Sequence, residues 1–389
     1  MKREFQKEIV LPNYDHCILN TITSILKYYN VETNHKSLQI LDEKLSKKYK
    51  NVVFIILDGL GEHILKKVSP NGYLSNNKID CITTVYPSTT TAAITTYYSG
   101  KPPYETGWIA WSQYFKEYGR ALDMLSHKES YLREDISKAK MNVFKTIVNY
   151  TSVFDRIEEA SPKVKAYEIM PTYAEKKSKR SIRADKVEEI IENIEMLCQS
   201  PDEKFIMAYS DNPDGLLHKF GTEAKEVKDF IIDTENKIKE MCKKISEDTI
   251  VIISADHGHK DIQKAYTLLD YPEIQECLYM PISLESRVVS FWVKDNMKKE
   301  FEERFNNIFK DEFWLMTKEE FLDRNFLGFG KKHPKIDDFL GNYIAISISN
   351  SIITIETFLA DGKVTKKSTH CGLSKEEMEV PIIIAEKNT

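Results

Sequence analysis

Three short apolar runs along the chain have the composition of strands that are buried on both faces. They are VVFIIL at 52–57, KFIMAYS at 204–210 and DTIVIISA at 248–255. The segments 186–198 and 226–245, which precede the two later runs, repeat their apolar residues at the spacing of an amphipathic helix. Buried strands that alternate with such helices predict an α/β fold, with a central, mostly parallel sheet flanked by helices.

Between residues 284 and 365 the pattern changes to short alternating segments. The strand-like runs are RVVSFWV, FWLM, YIAISIS and IITIETFL, and the helical runs are MKKEFEERFNNIF and TKEEFLDR. A polar turn at Asn350 and Ser351 predicts that the last two strands form an antiparallel pair. We therefore expect residues 284–365 to form a small α+β cap, inserted into a catalytic domain made of residues 1–283 and 366–389.

Carboxylate side chains follow all three buried runs, and imidazole side chains follow two of them. Asp58 comes directly after the first, the second is followed by a segment with Asp214 and His218, and the third by Asp256 and His257. Taken singly, such motifs are common in turns. The carboxyl ends of parallel strands meet at one edge of a sheet, however, so these side chains are expected to lie together. Oxygen and nitrogen ligands without thiolate suit Zn²⁺ or Mn²⁺. Two such ions would clamp the attacking and leaving oxygens of a phosphoryl transfer.

A run of four hydroxyl residues stands directly behind a proline in VYPSTTTAAITTYYSG, at 85–100. The four are Ser88, Thr89, Thr90 and Thr91. Serine and threonine are common in turns, so the run fits a solvated loop. It equally fits a loop in which one hydroxyl is a nucleophile.

Composition and charge narrow the class of protein. The 389 residues, 41% of them hydrophobic, are enough for one large globular domain and a smaller one. A net charge of -5, from 60 acidic and 55 basic residues, disfavours an obligate nucleic-acid partner. The six cysteines lack CxxC spacing, and there is neither an apolar run of bilayer length nor a signal-peptide core. We therefore expect a cytoplasmic protein without a membrane partner; the pattern does not indicate its oligomeric state.

Several motifs in order resemble those of the alkaline phosphatase superfamily, and within it those of the nucleotide pyrophosphatase/phosphodiesterase branch. The resemblance spans about Asn51 to Ile384. It is carried by ILDGLG at 56–61, YPSTTTAAITTYYSG at 86–100, DNPDGLLHKFG at 211–221, ADHGHKD at 255–261 and HCGLSKEEMEVPIII at 370–384. It implies an alkaline-phosphatase-like fold and the hydrolysis of phosphodiester or phosphoanhydride bonds in a small molecule or nucleotide.

The resemblance also implies two divalent ions, usually zinc, in two sets of ligands. One set would be Asp58, Asp256, His257 and the hydroxyl oxygen of Thr90, and the other would be Asp214, His218 and His370. The family nucleophile lies ten residues before the glycine that closes its motif, and counting back from Gly100 gives Thr90. Attack of Thr90 on phosphorus would form a phospho- or nucleotidyl-threonine, which water then hydrolyses.

One position departs from the family pattern. Many members have an asparagine that binds a phosphate oxygen where this chain has Trp111. We expect Trp111, Trp108 or Tyr114 to stack on a base or pack against an apolar leaving group, with a place in the core as the alternative. Gln113 or a backbone amide would then supply the missing donor. His259 is expected to orient a metal ligand or to contact the phosphate.

Two other functions stay open at this point. A phosphomonoesterase on the same scaffold would need a cation that reaches the extra dianionic oxygen of its substrate. A catalytically idle module that senses nucleotides would keep the metals without turnover. The presence of six ligands together with Thr90 favours an enzyme over the idle module.

Overall fold

A computed structural model of the chain describes residues 9–131, 133–136, 142–355, 359–360, 363–364 and 366–387. Its strands are β1 (Asn51–Leu57), β2 (Lys78–Thr83), β3 (Ser112–Phe115), β4 (Arg120–Asp123), β5 (Lys128–Glu129), β6 (Val164–Met170), β7 (Arg180–Arg183), β8 (Glu203–Ser210), β9 (Thr249–Ser254), β10 (Lys260–Asp261), β11 (Lys264–Thr267), β12 (Ser283–Glu285), β13 (Val288–Phe291), β14 (Phe313–Thr317), β15 (Tyr343–Ser347), β16 (Ser351–Thr354), β17 (Leu359–Ala360), β18 (Lys363–Val364), β19 (Ser368–Thr369) and β20 (Glu379–Ala385).

The helices alternate with these strands along the chain. They are α1 (Ile18–Tyr28), α2 (Gln39–Lys44), α3 (Glu62–Val68), α4 (Tyr73–Asn76), α5 (Thr90–Ser99), α6 (Pro103–Thr106), α7 (Val143–Thr146), α8 (Val153–Ala160), α9 (Val187–Gln199), α10 (Asp214–Phe220), α11 (Lys225–Lys244), α12 (Pro272–Gln275), α13 (Lys298–Phe309), α14 (Lys318–Asp323), α15 (Ile336–Phe339) and α16 (Lys375–Met378). Among the described helices, none has the length and apolar character needed to cross a membrane.

The central sheet has the strand order β2-β20-β9-β1-β8-β6-β7. The strands from β9 to β7 in this order run parallel, and β20 runs antiparallel to both of its neighbours. Every residue of β1 and β9 is buried, as expected for strands that helices cover on both faces. The predicted α/β fold with a mostly parallel central sheet is confirmed.

The register of the parallel strands brings their carboxyl ends together. Leu57 of β1 pairs with Ser210 of β8, and the preceding residue of β1 pairs with Ser254 of β9. The segments that begin at Asp58 and Asp211, and the one that follows β9, therefore leave the sheet at the same edge. This edge is where an α/β sheet places its ligands.

The second sheet is antiparallel, with the order β14-β15-β13-β12-β3-β4-β5. Its first four strands come almost entirely from the expected cap at 284–365, but β3, β4 and β5 come from residues 112–129. The two groups are joined by the pair of Leu284 and Ser112. A separate cap domain stays a prediction, and its sheet includes strands from outside the expected bounds.

The predicted antiparallel pair within 343–359 is wrong. β15 pairs with β13 and β14, whereas β16 pairs in parallel with β11. The guanidinium of Arg287 donates to the carbonyl oxygens of Ser349 and Ser351, so the turn backbone bonds a side chain instead of closing a hairpin. Residues 356–358 of the second run lie outside the described residues.

A buried ion pair joins the second sheet to the segment before β20. Arg287 and Glu377 are both fully buried, with Nε to Oε1 at 2.6 Å and Nη2 to Oε2 at 2.9 Å. Glu377 also accepts from the backbone N–H of Gly372 at 2.7 Å and from the Ser374 hydroxyl at 2.6 Å. The pair therefore fixes the loop that follows His370.

Replacing Arg287 with methionine would leave the Glu377 carboxylate buried without its partner. We expect Arg287→Met to lower the free energy of unfolding by about 3–5 kcal/mol, measured by urea titration. The control is Arg120→Met, which removes an exposed pair with Glu134 and is expected to cost less than about 1 kcal/mol. Equal losses in the two variants would contradict this role of the buried pair.

Candidate active site and metal ligands

The first set of expected metal ligands lies together at the carboxyl edge of the central sheet. Nε2 of His257 is 3.4 Å from Oδ1 of Asp58 and 3.3 Å from Oδ2 of Asp256. Nδ1 of His257 donates to the carbonyl of Gly258 at 3.0 Å, which assigns the lone pair to Nε2. The two carboxylate oxygens are buried without a hydrogen-bond partner among the described residues. Nε2 of His257 thus faces one buried oxygen of each carboxylate, and the ligand atoms of Asp58, His257 and Asp214 lie within 4.8 Å of one another, close enough to hold a metal ion.

Thr90 is the first residue of α5, and its hydroxyl faces this set. Oγ1 lies 3.4 Å from Oδ2 of Asp58 and 3.2 Å from Nε2 of His257. The neighbouring Thr89 hydroxyl donates to Glu285 at 2.9 Å and does not cap the helix. The Thr89 side chain therefore does not cap the first N–H groups of α5, which can donate hydrogen bonds to an anion.

Three histidines surround Asp214 in a second set. The Nε2 atoms of His218, His259 and His370 lie 3.4, 2.5 and 3.7 Å from Oδ1 of Asp214. Nδ1 of His218 and Nδ1 of His370 donate to backbone carbonyls at 2.8 and 3.0 Å, which turns their Nε2 lone pairs towards Asp214. The ligand atoms of all four residues lie within 4.8 Å of one another. This set also fits a divalent cation.

Ser368 determines how His259 is oriented. Its hydroxyl must donate to the carbonyl of Leu217, at 2.7 Å, because a carbonyl has no proton to give. The same hydroxyl therefore accepts from Nδ1 of His259 at 3.0 Å, and Nε2 faces Asp214. Nε2 of His259 therefore turns a lone pair towards Asp214, as a fourth candidate ligand of this set would, and the expectation that His259 orients a ligand or contacts the phosphate stays a prediction.

Burial controls the protonation of these groups. It lowers the pKa of His218 to about 3, and it also lowers the pKa of His370. Burial, followed by the charges of Asp256 and Asp214, raises the pKa of Asp58 well above its usual range. Imidazoles that stay neutral keep their lone pairs, and carboxylates that repel one another are stabilised by a shared cation.

Gln113 is placed differently from the expectation that it binds substrate, whereas the role of Trp111 stays a prediction. The Trp111 side chain is 38% exposed, and its backbone N–H donates to Glu285 at 2.7 Å. Gln113 is fully buried, and its amide group bonds backbone groups within 107–110. The expectation that Gln113 donates to a phosphate is wrong, because its amide holds its own loop together.

An apolar cavity opens beside Thr90, with Trp108 and Tyr173 among its lining residues. Trp108 is buried, and its indole N–H donates to a backbone carbonyl at 2.6 Å. Tyr114 packs edge to face against Trp292. Of the three aromatic residues considered from the sequence, Trp108 is the one that lines the same cavity as Thr90.

Three further residues near the site belong to no motif identified in the sequence. Tyr209 donates a hydrogen bond to Oδ2 of Asp58, and its place near the end of β8 is the signal that could have revealed it. Glu285 bonds Thr89 as described above. Lys366 places its Nζ 3.5 Å from Nε2 of His218. Neither Glu285 nor Lys366 follows a buried strand of the central sheet, so position in the sequence gave no signal for them.

A family model described as type I phosphodiesterase/nucleotide pyrophosphatase matches residues 52–328. The chain belongs to this family. The resemblance inferred from the motifs is therefore confirmed, and the predicted enzyme class, a phosphoric diester hydrolase or nucleotide pyrophosphatase, is that of the family. The family is metal-dependent, in agreement with the clusters of Asp and His side chains. A comparison with curated proteins finds no match.

Solved structures that are similar to this chain have the same fold. Murine ectonucleotide pyrophosphatase/phosphodiesterase 5 is 16% identical, with a TM-score of 0.63 over 86% of this chain and 87% of that one. An inactive threonine-to-alanine variant of the same protein, in complex with AMP, is 15% identical, with a TM-score of 0.63 over 88% of each chain. Phosphonoacetate hydrolase from Sinorhizobium meliloti, in complex with phosphonoformate, is 14% identical, with a TM-score of 0.58 over 87% of this chain and 90% of that one.

Removing the His259 ring should weaken metal binding by the second set, because Asp214 would lose the ring nitrogen that lies 2.5 Å from its Oδ1. We expect His259→Ala to lower zinc affinity at that set by about 10- to 100-fold, measured by competition with a chelator and elemental analysis. The matched control is His63→Ala, which removes an exposed ring on α3 and should retain the zinc affinity of the unmodified protein. Equal zinc affinity in both variants would show that His259 does not support the set.

Proposed function

We propose that the protein hydrolyses phosphodiester or phosphoanhydride bonds through a covalent intermediate on Thr90. The observation that carries this proposal is the position of the Thr90 hydroxyl, 3.4 and 3.2 Å from side-chain atoms of Asp58 and His257. It stands at the start of a helix, where amide groups favour an anionic phosphate. The inactive threonine-to-alanine variant of the murine relative supports a nucleophilic threonine.

Two divalent ions are part of the proposal, Zn²⁺ in the first place and Mn²⁺ as the alternative. The first would be held by Asp58, Asp256, His257 and Thr90, and the second by Asp214, His218 and His370, with His259 beside them. When bound, the ions would neutralise the phosphate oxygens and lower the pKa of the Thr90 hydroxyl.

Each residue around Thr90 has a separate role in the proposed reaction. Thr90 releases its hydroxyl proton to solvent and forms the Oγ1–phosphorus bond while the opposite phosphorus–oxygen bond breaks, and the electron pair moves onto the leaving oxygen on the side of Asp214. Asp58 and His257 hold the attacking hydroxyl, and Tyr209 fixes Asp58 through its hydrogen bond. Water then attacks the intermediate from the leaving-group side and restores Thr90.

The cavity, the second sheet and the cysteines extend the proposal to the kind of substrate and to the cellular compartment. We include in the proposal that the cavity with Trp108 and Tyr173 takes the base or apolar part of a small phosphodiester or nucleotide. The second sheet would act as a cap, since Glu285 of β12 bonds Thr89 beside the nucleophile. All six cysteines are free thiols, which supports a reducing compartment such as the cytoplasm.

Thr90→Val is the direct test of the nucleophile, because valine has the shape of threonine with a methyl group in place of the hydroxyl. We expect kcat for bis(p-nitrophenyl) phosphate to fall at least about a thousandfold in metal-loaded protein. The matched control is Thr91→Val, since the Thr91 hydroxyl is buried without a hydrogen-bond partner among the described residues. That variant should stay within about threefold of the unmodified protein. Undiminished turnover by Thr90→Val would reject the assignment.

The same assay separates the alternative functions. We expect the unmodified protein to prefer bis(p-nitrophenyl) phosphate over p-nitrophenyl phosphate. A preference of about tenfold or more for the monoester would indicate a phosphomonoesterase, since tenfold corresponds to about 1.4 kcal/mol in the barrier. Absence of turnover with diesters, dinucleotides and nucleoside triphosphates, with Zn²⁺ or Mn²⁺ supplied, would favour the idle nucleotide-sensing module.

A further inference from the structure

The three histidines around Asp214 form one compact group. The ring centroids of His218 and His259 are 4.7 Å apart, and the His370 ring lies 5.2 Å from each of them. The Nε2 atoms of all three rings face the same oxygen, Oδ1 of Asp214. The family resemblance implies only His218 and His370 as ligands, so the part that His259 has in this group needs its own explanation.

His259 is held in the same way as the two expected ligands. Nδ1 of His218 and Nδ1 of His370 each donate to a backbone carbonyl. Nδ1 of His259 donates to the Ser368 hydroxyl, whose own proton goes to the carbonyl of Leu217. Histidines that bind metals commonly donate their second ring N–H in this manner, which leaves the other nitrogen for the ion.

The ring of His259 is fully buried against the loop that follows β1. Gly59 in this loop has a φ of +76°, and a Cβ there would lie 3.0 Å from Cδ2 of His259 and 3.1 Å from Cα of Asp214. A side chain at residue 59 would therefore push the ring and the carboxylate apart. The glycine allows the close approach on which the contact between His259 and Asp214 depends.

Two roles of His259 must be told apart. A positioning residue would donate from Nε2 to Oδ1 of Asp214, 2.5 Å away, and would not touch the ion. A ligand would turn the lone pair of Nε2 to the ion. The contact with Ser368 favours the ligand, because that hydroxyl has no proton left for Nδ1 and a neutral imidazole has only one N–H.

We propose that His259 is a fourth protein ligand of the second ion, which then has no open position for water in the resting protein. The four ligands would be Asp214, His218, His259 and His370. The inference rests on the proposed function only in that the second set holds an ion, and it does not depend on the chemistry of Thr90. Four protein ligands are typical of zinc sites that are closed, whereas catalytic zinc sites commonly have three and an open position.

The two sets then differ in the ion that they favour. The second has three imidazoles and one carboxylate, whereas the first has the carboxylates of Asp58 and Asp256 and the single imidazole of His257. Imidazole suits zinc, and carboxylates suit harder ions such as Mn²⁺. We therefore expect the first equivalent of zinc to enter the second set.

X-ray absorption spectroscopy of the full-length protein, loaded with one equivalent of zinc, counts the imidazole ligands. We expect three imidazoles in the unmodified protein and two in His259→Gln. Glutamine is the matched substitution, because its amide can still donate a hydrogen bond to Asp214 but is a poor zinc ligand. The control is His63→Ala, which removes an exposed ring on α3 and should keep all three imidazoles. Fewer than three in the unmodified protein would contradict the proposal, and this count does not depend on the folding of any variant.

Zinc affinity gives a second measurement that separates a ligand from a positioning residue. Competition with a chelator should show zinc binding weaker by about tenfold or more in His259→Gln, as in His218→Ala, which removes an expected ligand. If His259→Gln binds zinc as tightly as His63→Ala does, His259 only positions Asp214 and the proposal is wrong.

The fourth ligand and the proposed function can fail separately. Three imidazoles around zinc, in a protein that hydrolyses neither phosphodiesters nor phosphoanhydrides, would support the fourth ligand and reject the function. Two imidazoles in a protein that turns over these substrates would reject the fourth ligand and leave the function standing.

Discussion

Buried lone pairs that cannot satisfy one another are the constraint on which the site depends. Asp58 and Asp256 each keep a buried oxygen without a partner among the described residues, and a bare imidazole nitrogen of His257 faces both. Such a cluster is unfavourable unless cations enter it, because carboxylates repel and unpaired polar atoms are costly when buried. The Asp and His side chains at this edge of the sheet could therefore hold metal ions.

The rest of the structure keeps these groups in place. The register of β1, β8 and β9 brings their carboxyl ends to one edge of the sheet. Thr90, the first residue of α5, lies at the same edge. The loop after His370 is held from the second sheet by the buried pair of Arg287 and Glu377. Ser368 orients two of the histidines through bonds that leave their Nε2 atoms towards Asp214. Residues far apart in the chain thus act on one cluster.

The sequence predicts those parts of the site that have a local signal. Asp58 and Asp256 could be singled out because each carboxylate stands directly after a long apolar run. His370 required the family resemblance, since it follows only the two-residue strand β19, outside the central sheet. The partner of β16 could not be predicted, because an apolar run shows that a strand is buried and not which strand it joins. The prediction that Gln113 donates to a phosphate was wrong for a related reason. Its amide group bonds the backbone of its own loop, and composition does not reveal such contacts.

The central claim is that Thr90 becomes covalently attached to phosphorus at the edge where the two ligand sets meet. Mass spectrometry of peptides from metal-loaded protein, quenched in acid during turnover of a nucleotide substrate, tests it most directly. We predict the added mass of one phosphoryl or nucleotidyl group on the peptide that contains Thr90, and its absence from the Thr90→Val variant. An adduct on another residue, or turnover with no adduct in a rapidly quenched burst, would contradict the account.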